Sequence, residues 1–176
     1  MKNKRGQVWV ETVVYTLIGL TLIGVVLAFI TPKINEYKDR SVIEETISSL
    51  NKLDEKISEV LDAPGNKRKI EFRMLRGEIY FDGVEDSIYY TLNDSRAIFS
   101  EPGVPTSIGK IQILSQKGNK ENSVLLSLNY SLNITVDSVD KVRKFSSAST
   151  PYNFFVENKG FSQSGQQIID VTEISS

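Results

Sequence analysis

Lys4-Arg5-Gly6-Gln7-Val8-Trp9-Val10-Glu11-Thr12-Val13-Val14-Tyr15 opens the chain's long apolar run, and its reading decides the fold. Glu11 interrupts that run near its start. From there on, residues 12 to 32 contain no charged side chain. Those 21 positions make about 32 Å of helix at roughly 1.5 Å per residue, which matches a hydrocarbon core of about 30 Å. A secretory signal fits less well, because its apolar region is typically only about 7–15 residues and no Ala-x-Ala-like site follows. Instead the run passes through Thr31-Pro32 into a charged helical pattern. A carboxylate at the edge of a membrane helix is costly unless a cation meets it.

Composition narrows the possibilities. The chain has 176 residues, enough for a membrane helix plus one domain. It contains no Cys and no His, so disulfides, thiol chemistry and the usual transition-metal ligands are excluded. The net charge of −1 gives no reason to expect nucleic-acid binding. Positive-inside reasoning from Lys2, Lys4 and Arg5 favours a cytoplasmic N-terminus, although Lys33, Lys38 and Arg40 flank the other end. The large C-terminal part is then expected outside the cell.

Residues 33–62 continue the helix. Ile43, Ile47, Leu50, Leu53, Ile57 and Leu61 fall three or four apart as one stripe, with Glu44, Lys52, Glu55 and Glu59 on the polar face. The stripe is expected to lie across one sheet. Asp62-Ala63-Pro64-Gly65 stops the helix. Pro32 removes one backbone donor, so a kink or local melting is expected near residues 28–32.

Beyond residue 62 the period changes to two. Seven or eight short strands are expected, at Ile70–Met74, Glu78–Phe81, Ser87–Leu92, Ala97–Phe99, Ile108–Leu114, Val124–Val136, Tyr152–Val156 and Ile168–Ile174. Turn signals separate them, Lys159-Gly160 among them. This spacing predicts an antiparallel β-sandwich, Ig-like in type, with Val124–Val136 long enough to bend across two sheets. Residues 137–150 read as a loop. The fold class is therefore α+β: a long transmembrane and amphipathic N-terminal helix, then a sandwich head over 63–176.

Three N-x-S/T sequons, at Asn93, Asn129 and Asn133, are candidate N-glycosylation sites in an exported domain. Asn129 and Asn133 are expected to share one strand face. Asp137 with Asp140, and Glu85 with Asp86, can hold Ca2+ only weakly and read first as solvated turns. No catalytic constellation and no phosphate loop is present, so no enzyme activity and no cofactor is expected. Thr12, Thr16 and Gly19 form a small-residue stripe suited to close helix packing.

Basic residues, Gly6, Gln7, Glu11 and a membrane-length run stand in a fixed order. That order resembles the class III signal peptide of archaeal type IV pilins over roughly residues 2–31. The resemblance implies cleavage after Gly6 by a prepilin peptidase, leaving Gln7 as the first mature residue and Glu11 as the fifth. Trp9 departs from the small residue that many such pilins carry there. The implied organisation is a basic leader (1–6), a helix over 7–62 and a pilin-type head over 63–176. Within the helix, 7–32 would be the membrane and filament-core part and 33–62 the amphipathic part. The implied partners are copies of the same chain, the peptidase, an assembly ATPase and its membrane platform protein. The chain would sit in the membrane before assembly and in an extracellular surface filament after it, serving adhesion or surface contact. Two other roles fit the same reading: a minor pilin or accessory archaellum-type subunit that binds the surface layer, and an uncleaved membrane-anchored binding module.

Overall fold

A computed structural model describes residues 4–174, with side chains described from Trp9 onward. One α-helix, α1 (Lys4–Val60), precedes ten strands. These are β1 (Lys67–Phe72), β2 (Glu78–Asp82), β3 (Ser87–Ser95), β4 (Thr106–Ile108), β5 (Ile111–Gln116), β6 (Asn122–Asn129), β7 (Asn133–Val136), β8 (Val142–Ser146), β9 (Tyr152–Phe161) and β10 (Gln167–Glu173). They form a four-stranded sheet in the order β1-β9-β10-β7 and a six-stranded sheet in the order β4-β5-β6-β3-β2-β8. All pairings are antiparallel except β10 with β7. The architecture is thus a long apolar-to-amphipathic helix followed by antiparallel-rich sheets.

The two sheets and the second half of α1 share one core. Ile43, Ile47, Leu50, Leu53, Ile57 and Val60 are buried in it. Each contributes roughly 1.5–3 kcal/mol relative to exposure. The helix ends at Val60, and Leu61 is only half-buried because the chain has already entered the turn Leu61 N–H to Ser58 O at 3.2 Å. The stripe does not lie on a single sheet: α1 touches β1 and β9 of one and β5 of the other. Polar contacts fix this seat. Arg68 at the start of β1 pairs with Glu59 at 3.2 Å, and Lys110 before β5 pairs with Asp54 at 3.0 Å. Where the sheets meet, Phe81 of β2 packs against Phe154 of β9 with ring centroids 5.0 Å apart. Phe145 of β8 closes the same cluster against Phe154, also at 5.0 Å.

Several expected strands differ, each for a local reason. Val124–Val136 does cross between the sheets, but as two strands, with Tyr130 to Leu132 as the break. Residues 137–150 are not all loop, because β8 pairs with β2 through Val142↔Asp82 and Phe145↔Ile79. Ile108–Leu114 is a hairpin, split by Gly109 at φ 61°. Ala97–Phe99 is irregular, since the Ser95 hydroxyl binds both the N–H and the carbonyl of Ala97 and curls the chain back. Lys159-Gly160 lies inside β9 rather than at a turn. A bulge interrupts the pairing there, and Asn158, in phase with Phe154 and Val156, points into the core, where it donates to the Val60 carbonyl at 2.9 Å and so caps α1.

Candidate assembly surface

Upstream of the head, α1 stands alone. From Trp9 to Ile34 every side-chain position is exposed except Gly19, which is half-buried. Trp9 is 71% and Phe29 75% exposed, so the apolar run has no partner surface within the molecule. Among the described residues, Asp39 is the first that is buried. Residues 9 to 34 therefore extend about 39 Å beyond the head. By length and composition this segment is able to cross a membrane.

The helix is unbroken through Pro32, so local melting at residues 28–32 does not occur. Three of its threonine hydroxyls bond within the helix: Thr16 donates to the Thr12 carbonyl at 2.8 Å, Thr21 to Leu17 at 2.7 Å and Thr31 to Leu27 at 2.7 Å. Such bonds let a helix enter an apolar phase without a polar debt. A shallow hollow of about 290 Å3 follows Val14, Leu17, Ile18, Thr21 and Leu22. Nothing lies within 4 Å of the position a Cβ would take at Gly19. Both features leave room for a second helix.

Glu11 is exposed and one helical turn past Gln7. Gly6 and Gln7 have helical backbones, and their side chains lie outside the described residues. At the other end of the free segment, Lys33 pairs with Glu36 at 2.8 Å, which marks the return of charge.

The helix is joined to the head by a cluster centred on Asp39. Its carboxylate is buried, bonds the Arg76 guanidinium, and accepts from the Arg96 backbone N–H at 2.7 Å. Arg76 also reaches Asp94 at 3.0 Å. The Tyr90 hydroxyl donates to the Arg76 carbonyl at 2.8 Å, and burial pushes its pKa up to about 12. None of these residues stands out in the sequence as a site. The one available signal is phase: Asp39 precedes Ile43 by four residues, an acid on the apolar stripe.

The sequon asparagines are dispersed. Asn93 and Asn129 are exposed on the six-stranded sheet. Asn133 belongs to the four-stranded sheet and is half-buried, with its Oδ1 enclosed and unpartnered. The expected shared face of Asn129 and Asn133 is thus absent, because the chain changes sheet between them. Asp137 is held by Lys141 and Arg143, each at 2.9 Å. The hydrogen bond from Lys141 leads in keeping its carboxyl below the usual range. Asp86 accepts from the Ile134 N–H at 2.8 Å. Among the described residues, no group of three or more carboxylates converges on a metal-sized space.

Comparison with family models, with curated protein sequences and with solved structures returned no match to this chain.

Proposed function

We propose that the chain is a structural subunit of a type IV-like surface filament, processed after Gly6 and polymerised through α1. The observation that carries this reading is the unbroken helix from Trp9 to Ile34, apolar and outside the head, with Glu11 one turn after Gln7. Inside a bundle of such helices water is excluded, and a buried carboxylate is tolerable only when paired. Cleavage after Gly6 creates an ammonium on Gln7. In an assembled filament that ammonium, from a neighbouring copy, meets Glu11. A subunit at the wrong height leaves two buried charges unmatched, so the pair sets the register. Cleavage also removes the basic residues Lys2, Lys4 and Arg5, which resist withdrawal from the membrane. The head, in this reading a pilin-type sandwich, coats the filament and makes contact with surfaces.

The chain would wait in the membrane with its N-terminus cytoplasmic. Its partners would be a prepilin peptidase, an assembly ATPase with its platform protein, and further copies of itself. Mass spectrometry of membrane and sheared-surface fractions tests the proposal. Sheared material should yield a peptide beginning at Gln7 and dominated by this chain. Dominance by another subunit would make this one a minor or accessory component. Intact Met1 chains confined to the membrane would leave an uncleaved anchored module and sink the filament.

A further inference from the structure

The two sheets differ in what they show to solvent. On the four-stranded sheet, β1 and β9 turn charge outward: Lys67, Lys69, Glu71, Glu157 and Lys159. On the six-stranded sheet, β5, β6 and β3 turn outward no charged side chain between Gln112 and Gln116, Ser123 and Asn129, or Tyr89 and Asn93. In a chain with 24% charged residues this is a segregated surface. Across it, Gln112, Ser127 and Tyr89 stand in one rank, and Leu114, Leu125 and Thr91 in the next. Tyr89 stacks on Tyr80 of β2 with centroids 4.8 Å apart and an interplanar angle of 10°. Beside the pair, Glu78 accepts the Tyr80 hydroxyl at 2.7 Å and pairs with Lys144 at 2.9 Å, while Asp82 accepts the Val84 and Glu85 N–H groups.

Two hollows, of about 310 and 190 Å3, share Thr91 and Asn93; Glu78 and Asp94 also line the larger, and only uncharged residues line the smaller. Thr91 lines both, and its hydroxyl is buried with no hydrogen-bond partner. Such an orphan costs about 1–3 kcal/mol of stability. Charge complementarity selects the occupant: the smaller hollow has no charged residue in its lining, and its amides and hydroxyls, which both donate and accept, match a neutral ligand of the same kind. Half-exposed rings and leucines match C–H faces. A protein partner would want a broader apolar centre than two half-buried leucines and a tyrosine pair. We infer that this face binds a neutral saccharide chain, with Tyr80 and Tyr89 as the stacking element. The inference deepens the surface-contact role proposed above by naming what the head touches.

The test uses the full chain in detergent micelles, made in a host without N-glycosylation so that Asn93 and Asn129 are bare. Affinity electrophoresis is run through gels containing mannan, dextran or galactan, with alginate as the acidic control. At least one neutral polysaccharide should retard the chain and alginate should not. Tyr89→Ala should weaken that binding about tenfold, in the range of an aromatic contact residue. Lys69→Ala, on the opposite sheet, should bind as the parent does. Retardation by none of the three neutral gels overturns the inference, as does unaltered binding by folded Tyr89→Ala or stronger retardation by alginate. The outcome is separate from processing: a chain with an intact leader that binds mannan keeps this inference and loses the filament.

Discussion

Asp39 Oδ2 accepts the Arg96 backbone N–H at 2.7 Å, across 57 residues of sequence. The bond sits where the helix leaves the head, and the same carboxylate holds Arg76. Arg76 is partly exposed and can rehydrate, whereas the Arg96 N–H has no other partner in this arrangement. Asp39→Ala should therefore cost about 2–3 kcal/mol, in the range for hydrogen bonds to a charged group. Asp39→Asn keeps one acceptor and should cost about half. Urea denaturation reads the loss, and limited proteolysis should show new cleavage near residues 36–42.

Gly77 and Gly165 both have positive φ, 79° and 83°. Any L-residue there carries a backbone cost of roughly 1–2 kcal/mol. They differ in space. A Cβ at Gly77 would lie 2.6 Å from the Thr91 carbonyl oxygen and press on the Tyr90 phenol, whereas at Gly165 nothing lies within 4 Å. Gly165→Ala should lose only the backbone share. Gly77→Ala adds overpacking of roughly 1–3 kcal/mol. A melting-temperature comparison of the two variants checks this, and equal losses would contradict the packing account.

These two sites also show what the sequence could convey. The stripe Ile43 to Ile57 was legible because a helix repeats its buried face every three or four residues, whatever lies opposite. Strands with clean alternation, such as β2 and β3, were legible for the same reason. β8 was not: Val142 and Phe145 are separated by Arg143 and Lys144, and an edge strand needs little apolar surface to pair. The switch of sheet after Asn129 was only half legible, since alternation continues through Leu132 and nothing local says which sheet comes next. The parallel register Ile168↔Asn133 depends on residues far apart. Of the candidate sites, Glu11 was legible as a charge out of pattern. Asp39 was not singled out, because its partner Arg76 lies 37 residues away. The neutral face over β5, β6 and β3 exists only once those strands are adjacent.

Alkaline stability should follow Tyr90 together with Tyr130, whose phenol burial pushes higher still. The Tyr90 phenol is fully buried, and burial raises its pKa to about 12 from an ordinary value near 10. Below pH ~10 both folded and unfolded forms keep the proton, and the stability is intact. Between about 10 and 12 the unfolded chain ionises first, so stability falls as pH rises, by on the order of 2–3 kcal/mol for this group. Tyr90→Phe should lose about 1 kcal/mol at neutral pH, from the bond to the Arg76 carbonyl. It should also reduce the alkaline decline, leaving the share of Tyr130. Denaturation midpoints measured against pH, with phenolate absorbance recorded in parallel, test both parts.

Glu11 is the place where assembly and anchoring make opposite demands. In an uncleaved anchor the helix already begins by Lys4, so Glu11 lies about two turns in, beyond the reach of the helix dipole, and its replacement changes little. As the partner of a neighbour's Gln7 ammonium it offsets the desolvation of two charges, and removing one side of such a pair costs about 3–5 kcal/mol. That cost recurs at every subunit contact, so it should act on polymer rather than on the head. Glu11→Gln should leave membrane insertion, processing after Gly6 and the melting of the head unchanged while sheared filament is lost. Gly6→Val should block processing and trap full-length chain in the membrane. Electron microscopy and quantitative blotting of sheared and membrane fractions separate the cases. Parental filament yield from Glu11→Gln would remove the charge pair from the mechanism. Normal filaments from Gly6→Val would refute the junction on which that pair depends.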